Sequence, residues 1–386
     1  MLRSLYSGIS GLRSHQTMLD VTGNNIANVN TAGFKGSSVQ FQDTLSQLTQ
    51  GAGGPRADVG GTNPAQVGLG VQVAGISTNF AQGSAQSTGR ATDLMISGDG
   101  FFVTRLGGET LYTRAGAFDF DPQGRLVDPS GALVQGWGAV DGRILEGGAA
   151  STVTLPVGAN SAAIATTSAT LGGNLPEDAA VGTELVRDLD VFDANGESQI
   201  MSLTFTRAAT GWDVSDGTTN AGTITFTNGA LTSAASITVA GVAVDVSNLT
   251  GFAGLSTAAI SGQDGRKAGT LESFTMSKDG TLVGSFSNGA SQSVGRVSLA
   301  TFVNPGGLEK AGSSSYRATF NSGAAEVGTP GAAGFGSIVS GALEMSNVDL
   351  SQEFTNLIVA QRGFQANARI ITTSDEVLQE LTNLKR

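Results

Sequence analysis

The amino-acid sequence predicts a mainly β protein with α-helical ends. Three observations carry this prediction: apolar residues repeat at helical spacing near each end, short alternating segments fill the middle, and glycine is abundant, with 56 residues. Hydrophobic residues still make up 39% of the chain, which is enough to build a core. We therefore expect antiparallel β domains in the middle of the chain and a helical coiled-coil domain made by its two ends.

The N-terminal helix is predicted from apolar residues that recur three and four positions apart, with Gln16 and Gly23 filling two of the positions. They are Leu2, Leu5, Ile9, Leu12, Leu19 and Ile26. This spacing is typical of a heptad seam on one helix face. Gly8, Gly11 and Gly23 weaken the helix by roughly 1 kcal/mol each relative to alanine, but they let a second helix approach closely. We expect the helix to end before Asn30, where a turn-like cluster begins.

The C-terminal helix shows the same alternation of three and four residues over a longer stretch. Its seam is Leu350, Phe354, Leu357, Gln361, Phe364, Ala368, Ile371, Asp375 and Leu378, and Leu381 and Leu384 continue it on a slightly shifted face. The residues from Ser346 to Asp349 can each cap a helix start. A helix of about 37 residues would be roughly 55 Å long. Apolar seams of this kind need a partner surface, which either the other end of the chain or another copy could supply.

The middle of the chain alternates apolar and polar residues, as Met201, Leu203 and Phe205 do with the residues between them. Asn-Gly and Asp-Gly pairs separate such segments and predict hairpin turns. Larger side chains flank a stretch rich in Thr, Ser, Ala and Gly, which predicts one domain inserted into another. The predicted organisation is a terminal helical domain at 1–35 and 345–386, an extended connector at 36–75, a flank-built β domain at 76–147 with 268–344, and an inserted β domain at 148–267.

Several classes of function are disfavoured by residues that the sequence lacks. The chain has no cysteine and a single histidine, His15, so we predict no catalytic residues, no cofactor site and no metal site. A net charge of −11 argues against binding to nucleic acid. No apolar run approaches the length of a membrane span. Arg3, Arg13 and His15 interrupt the N-terminal segment, so we expect no cleaved secretory signal.

Specific strings resemble the bacterial flagellar rod and hook proteins. The N-terminal string is NNIANVNT at 24–31, followed by Gly33, Phe34 and Lys35. Matching strings lie at 93–102, at 343–350 and at 360–367. Within this family, residues 295–302 and 304–308 resemble the hook members, and the insert also favours them over the distal rod, which is similar without it.

The resemblance implies a non-enzymatic subunit that polymerises into a short curved tube, a universal joint between motor and filament. It also implies export by the flagellar type III apparatus, an extracellular location in the flagellum, and contacts with rod, hook-cap and hook–filament junction proteins. Phe41 with Leu45 resembles the export motif of this family, although an ordinary buried phenylalanine is the alternative. Two other functions remain open: a distal rod-type axial protein, and a β-rich adhesin or enzyme.

Overall fold

Two long helices lie at the ends of a chain that is otherwise mostly β. The computed structural model describes residues 2–56, 58, 60–140, 142–145, 147–156, 158 and 160–384. Helix α1 spans Leu2–Ala27 and helix α2 spans Leu350–Leu384. The Oδ1 atom of Asp349 accepts a hydrogen bond from the backbone N–H of Ser351 at 2.8 Å, which caps the start of α2. Both predicted helices and the predicted fold class are confirmed.

The chain folds into two compact units. The first unit comprises Met1–Leu155, Thr275–Val283 and Ser293–Arg386, and the second comprises Pro156–Phe274 and Gly284–Gln292. We had predicted bounds of 148–267 for the inserted domain. The second unit therefore begins a few residues later and also takes in a short segment from the C-terminal flank.

The strands of the first unit that precede the second unit are numbered in chain order. They are β1 Ser37–Asp43, β2 Ser46–Gln50, β3 Ala65–Gly68, β4 Val71–Thr78, β5 Ala85–Ser87, β6 Leu94–Ser97, β7 Phe101–Leu106, β8 Glu109–Thr113, β9 Asp119–Phe120, β10 Leu126–Val127, β11 Leu133–Val140, β12 Arg143–Ile144 and β13 Ser151–Thr152.

The described residues between 36 and 75 form a two-stranded ribbon, which differs from the extended connector that the sequence predicts. Strand β1 pairs antiparallel with β4, and β2 pairs antiparallel with β3. An isolated bridge between Gly53 and Thr62 continues the pairing towards the tip. The chain folds back because each strand finds its backbone hydrogen bonds in the other, which a single extended segment could not do. The ribbon also passes the predicted boundary, because β4 ends at Thr78.

The second unit contains the next strands in chain order. They are β14 Asn160–Ser161, β15 Ser168–Asn174, β16 Glu184–Phe192, β17 Ser198–Arg207, β18 Trp212–Ser215, β19 Asn220–Ile224, β20 Phe226–Thr227, β21 Ala230–Leu231, β22 Ser236–Val239, β23 Val242–Thr250 and β24 Ala259–Gln263. Strands β25 Gly269–Met276, β26 Thr281–Phe286 and β27 Ser291–Val297 each contain a boundary between the units.

Two four-stranded sheets in the second unit share one core. Their strand orders are β22-β23-β15-β24 and β16-β17-β18-β19. Phe205 and Trp212 of one sheet and Leu171 and Val244 of the other belong to the same buried cluster. Strand β15 runs parallel to β23, which is an exception to the antiparallel pairing that the hairpin signals predicted. The parallel pair arises because β23 pairs through its other edge with β22, its hairpin partner.

The chain returns to the first unit for its last strands. They are β28 Leu299–Thr301, β29 Glu309–Gly312, β30 Ser315–Arg317, β31 Glu326–Gly328, β32 Ser337–Ser340 and β33 Ala342–Glu344, with a short 3₁₀ helix at Pro305–Gly307. Antiparallel pairing connects the strands in the order β27-β11-β7-β8-β30-β29. Phe102, Phe118 and Val297 lie in one buried cluster of this unit, and Phe101 and Tyr316 lie in another.

Candidate functional site

Helices α1 and α2 pack against each other as an antiparallel pair. The Nδ2 atom of Asn25 donates a hydrogen bond to Oε1 of Glu353 at 3.1 Å. Further along the pair, a Cβ atom added at Gly363 would lie 2.5 Å from the His15 ring, and one added at Gly11 would lie 2.7 Å from Oδ1 of Asn367. The two ends of the chain thus supply each other's partner surface within one copy.

The line of closest contact on α1 is made of small and polar residues. Its buried members are Gly8, Gly11, Ser14, Thr22 and Asn25. Gly8 and Gly11 let α2 approach, as predicted, whereas no atom lies within 4 Å of the Cβ position of Gly23. The predicted seam residues Leu5, Ile9, Leu12, Leu19 and Ile26 are only half-buried. The side chain of Leu2 lies outside the described part of the chain.

The predicted seam of α2 divides into half-buried and exposed residues. Leu357, Phe364, Ile371 and Leu378 are half-buried, whereas the structure leaves Leu350, Phe354 and Leu381 exposed. A second set of exposed apolar residues recurs at spacings of 11, 7, 4 and 3 positions, which places its members on one side of the helix. We call it the outer stripe: Val359, Ile370, Val377, Leu381 and Leu384. Most of the outer stripe could not be predicted from the sequence, because only its last two residues lie on the seam or its continuation.

A buried ionic cluster ties the segment after α1 to the segment before α2. The Nζ atom of Lys35 lies 2.6 Å from Oε1 of Glu344, and both side chains are inaccessible to solvent. The Nη1 atom of Arg114 lies 3.4 Å from the other carboxylate oxygen of Glu344. Burial lowers the pKa of the Lys35 ammonium, and the hydrogen bond that Lys35 donates to Glu344 offsets only part of that effect.

Two asparagines complete this junction between the ends of the chain. Asn25 donates through Nδ2 to the backbone oxygen of Ser37 at 2.7 Å and accepts from the Ser37 N–H at 3.0 Å. Asn347 accepts from the N–H of Gly36 at 2.9 Å and donates to the backbone oxygen of Asn79 at 2.8 Å. Each carboxamide satisfies both a donor and an acceptor of the backbone, which an ionised carboxylate could not do because it only accepts.

The sequence indicated no structural role for the junction residues Asn25, Lys35, Arg114, Glu344 and Asn347. The family signature contained all of them but Arg114, yet it says nothing about which side chains meet. Their role depends on contacts between residues as far apart in sequence as Lys35 and Glu344. One sequence signal was available, since a lysine flanked by glycine and aromatic residues in a turn is an unusual candidate for burial.

The candidate export residues lie in and beside the ribbon. Phe41 is 39% exposed in β1, with its ring centroid 5.8 Å from that of His15, and Leu45 is 83% exposed. The Nδ1 atom of His15 is buried and has no hydrogen-bond partner in the described part of the chain. Phe41 is therefore not an ordinary core phenylalanine.

The described residues contain no cluster of histidine and acidic side chains that could hold a metal ion. Among the same residues, neither helix is long and apolar enough to cross a membrane. A tightly joined helical pair, two β units and an exposed apolar stripe characterise a structural protein.

Three family models match the chain. They are "Flagella basal body rod protein" at residues 5–35, "Flagellar hook protein FlgE/F/G D1 domain" at 95–168 and "Flagellar basal body rod FlgEFG protein C-terminal" at 339–384.

Curated relatives match over their whole length. The chain is 41% identical over 445 residues to the flagellar hook protein FlgE of Borreliella burgdorferi, and 39% identical over 463 residues to that of Treponema pallidum. It is also 36% identical over 387 residues to the flagellar basal-body rod protein FlgG of Bacillus subtilis. Each alignment covers 100% of both chains. The chain belongs to the family of flagellar hook and rod proteins, which are structural proteins and not enzymes.

Proposed function

We propose that this protein is the structural subunit of a flagellar hook. It polymerises into a short curved tube that acts as a universal joint between the motor and the filament. The observation that carries this proposal is the outer stripe, which stays exposed after α1 and α2 have paired. Each Val, Ile or Leu contributes about 1.5–3 kcal/mol when it is buried. Another copy is the natural partner in a family of axial proteins, as a contact that repeats along a tube without closing.

The polymerisation interface on α2 combines the outer stripe with the exposed residues of the predicted seam. Leu350 and Phe354 are 39% and 51% exposed, so they are available to a neighbour. The half-buried seam residues of both helices, Leu5, Ile9, Leu12, Leu19, Ile26, Leu357, Phe364, Ile371 and Leu378, flank the contact between α1 and α2. These residues stabilise the contact between α1 and α2, and their exposed parts pack against neighbouring copies in the tube.

The proposal includes a division of labour between the parts of the chain. The terminal helices form the inner layer of the tube, and the flank-built β domain lies outside them. The subunit is exported by the flagellar type III apparatus and meets rod, hook-cap and junction proteins at the ends of the tube. Phe41 and Leu45 form the export motif, which their exposure in the folded chain supports.

A distal rod subunit is the second candidate, because a rod protein is among the full-length relatives. Hook relatives with higher identity favour the first candidate. The shape of the polymer distinguishes the two functions, since a hook is curved and a rod is straight. Electron microscopy of tubes assembled from the purified protein makes this distinction.

An aspartate in the outer stripe tests the polymerisation interface. Val377→Asp places a charge on an exposed position, so the isolated subunit keeps its fold. In a tube the same charge is buried without a partner, which costs several kcal/mol and abolishes assembly. Gln365→Asp is the matched control, since Gln365 is an exposed polar residue of the same helix. Normal tubes from Val377→Asp would contradict the proposed interface.

A further inference from the structure

The second unit carries Asn-Gly pairs at turns between its strands. They are Asn195-Gly196, Asn228-Gly229 and Asn288-Gly289. An asparagine before glycine loses its side-chain amide easily, because glycine has no Cβ to keep its backbone nitrogen away from the asparagine side chain. The reaction needs a free carboxamide, a free glycine N–H and a peptide between them that can rotate. The pairs differ in how far their hydrogen bonds meet these conditions.

The pair at Asn288 is held by hydrogen bonds at every reacting group. The Nδ2 atom of Asn288 donates to the backbone oxygen of Lys267 at 2.9 Å, and its Oδ1 atom accepts from the N–H of Ala290 at 3.1 Å. The N–H of Gly289 donates to the backbone oxygen of Phe286 at 2.9 Å. Attack by Gly289 on this side chain therefore has to break several hydrogen bonds first.

The pair at Asn195 is also held, although less tightly. The Nδ2 atom of Asn195 donates to Oδ2 of Asp193 at 3.4 Å, and the N–H of Gly196 donates to the backbone oxygen of Asp193 at 3.0 Å. Gly196 is packed as well, since a Cβ atom added there would lie 2.8 Å from the Cβ of Ala163. The nucleophile of this pair is thus also engaged in the folded chain.

Asn228 and Gly229 form the two-residue loop of the hairpin between β20 and β21. Their φ angles of 53° and 78° are positive, as a type I′ turn requires. Asn228 is exposed, and neither its carboxamide nor the N–H of Gly229 has a hydrogen-bond partner in the part of the chain that the structure describes. Both reacting groups of this pair are therefore free.

The rest of the hairpin restrains this turn only weakly. Each strand has two residues, and the two strands form a sheet of their own. The backbone oxygen of the buried Gly229 accepts a hydrogen bond from the N–H of Gly251 at 3.1 Å, and the Phe252 ring packs against Gly229. A hairpin of two short strands is marginally stable, so the turn opens locally, exposes Gly229 to water and lets the peptide after Asn228 rotate.

We propose that Asn228 is a site of spontaneous deamidation that reacts ahead of Asn195 and Asn288. The backbone nitrogen of Gly229 gives up its proton to water and attacks Cγ of Asn228. A new C–N bond closes a succinimide ring, and the side-chain nitrogen leaves as ammonia. Water then opens the ring at either carbonyl and leaves aspartate or isoaspartate, so one water is consumed and one ammonia released. This inference is independent of the proposed polymerisation.

The two products affect the hairpin differently. Aspartate keeps the backbone and adds one negative charge to an exposed loop. Isoaspartate lengthens the backbone by one CH₂ group in a loop whose two-residue length lets Thr227 pair with Ala230. The isoaspartate product therefore loses this pairing, and Gly229 moves away from the Phe252 ring.

The first test uses the nearly identical sequences around two of the pairs as a matched control. Residues 227–230 read TNGA and residues 287–290 read SNGA, so the fold and not the local sequence distinguishes them. The purified full-length protein is kept in mildly alkaline buffer, and deamidation at each asparagine is followed by peptide mass spectrometry. Asn228 should react about fivefold or more faster than Asn288, whose hydrogen bonds have to break first. A rate at Asn228 no higher than at Asn195 or Asn288 would overturn the proposal.

Unfolding the protein removes the structural difference between the pairs. In guanidinium chloride Asn228 and Asn288 should react at similar rates, because the hydrogen bonds that protect Asn288 are gone. If Asn228 kept its lead in the unfolded chain, the fold would not set the order of reaction, and the inference would be wrong.

A second measurement detects the isoaspartate product directly. Protein L-isoaspartyl methyltransferase transfers a methyl group from S-adenosylmethionine to isoaspartate, and the aged protein should accept this label mainly in the peptide that contains Asn228. Asn228→Gln should remove most of the label, since glutamine forms the corresponding six-membered ring far more slowly. Undiminished labelling of Asn228→Gln would refute the assignment to this turn.

Discussion

Lys35 Nζ and Glu344 Oε1 lie 2.6 Å apart, and neither side chain is accessible to solvent. The two residues are separated by most of the chain, so this ion pair forms only when both ends have folded onto the same unit. A buried ion pair adds little net stability compared with a well-packed apolar pair, but it is costly to break. Lys35 and Glu344 therefore make the junction specific, since a chain that pairs its ends incorrectly leaves charges buried.

Glu344→Gln should destabilise the first unit by about 3–5 kcal/mol, because it leaves two buried cations without a counter-charge. Lys35→Met should cost less, since Glu344 then keeps Arg114 as a single partner. Glu109→Gln removes an exposed, solvent-screened ion pair with Arg317 and should leave the stability almost unchanged. Denaturant unfolding followed by the fluorescence of Trp137, in a Trp212→Phe background, measures the first unit alone. If Lys35→Met and Glu344→Gln lost equal stability, the cluster would not depend on one carboxylate, Glu344, to balance the two cations Lys35 and Arg114.

Asn25→Ala should loosen the connection between α1 and β1. The substitution removes both hydrogen bonds to Ser37 and the one to Glu353, at a cost of about 1–3 kcal/mol for the buried backbone groups left unpaired. The expected result is faster hydrogen exchange at the Ser37 amide. Asn24→Ala is the control, because the neighbouring Asn24 side chain is exposed. Similar exchange rates in the two variants would show that Asn25 does not hold this connection.

Gly363→Ala should separate α1 from α2, although alanine is the better helix former by about 1 kcal/mol. Its Cβ would lie 2.5 Å from the His15 ring, and real side chains do not pack that closely. Gly23→Ala should have the opposite effect and stabilise α1, since its Cβ meets no atom within 4 Å. Thermal unfolding followed by circular dichroism at 222 nm compares the two. Adding His15→Ala to Gly363→Ala should restore the lost stability if the ring is the obstacle.

The second unit should lose stability between about pH 4 and pH 2 through Asp216. Hydrogen bonds from the backbone and side chains of Thr219 and Thr218 lower the pKa of Asp216 to about 2. An unfolded aspartate has a pKa of about 3.9, so the stabilisation is complete above that value and disappears as the pH falls through the folded pKa. Asp216→Asn should flatten the pH dependence in this window, measured by Trp212 fluorescence in a Trp137→Phe background. Identical slopes for variant and parent would refute the assignment.

The two helices could be predicted from the sequence because their signals are local. The 3–4 spacing and the capping residue Asp349 gave the bounds of α2 to within a few residues. The surface that each helix turns towards the other could not be predicted in the same way. Apolar spacing indicated the leucines, and Gly8 and Gly11 were expected to allow close approach. Nothing in the sequence indicated Gly363, where the absence of a side chain decides how near the two backbones come.

The ribbon within 36–75 could not be predicted either, because its strands carry no local pattern of buried residues. Its strands are exposed on both faces for much of their length, so no apolar alternation marks them in the sequence. Pairing with each other, and not burial, holds them in place. The burial of the charged junction residues could not be predicted, because a charged residue in a sequence normally indicates an exposed position. Only the folded chain shows that the buried Lys35 ammonium forms an ion pair with the carboxylate of Glu344.

The antiparallel helix pair determines where probes can be attached to this protein. Because α1 and α2 run in opposite directions, the start of α1 and the end of α2 lie at the same end of the pair. A fluorescent protein or affinity tag would lie near the same end of the helix pair whichever terminus carries it. Moving the tag to the other terminus would therefore not avoid interference with assembly. A small epitope is better inserted in an exposed hairpin turn of the second unit, such as Asp216-Gly217, far from both helices in sequence.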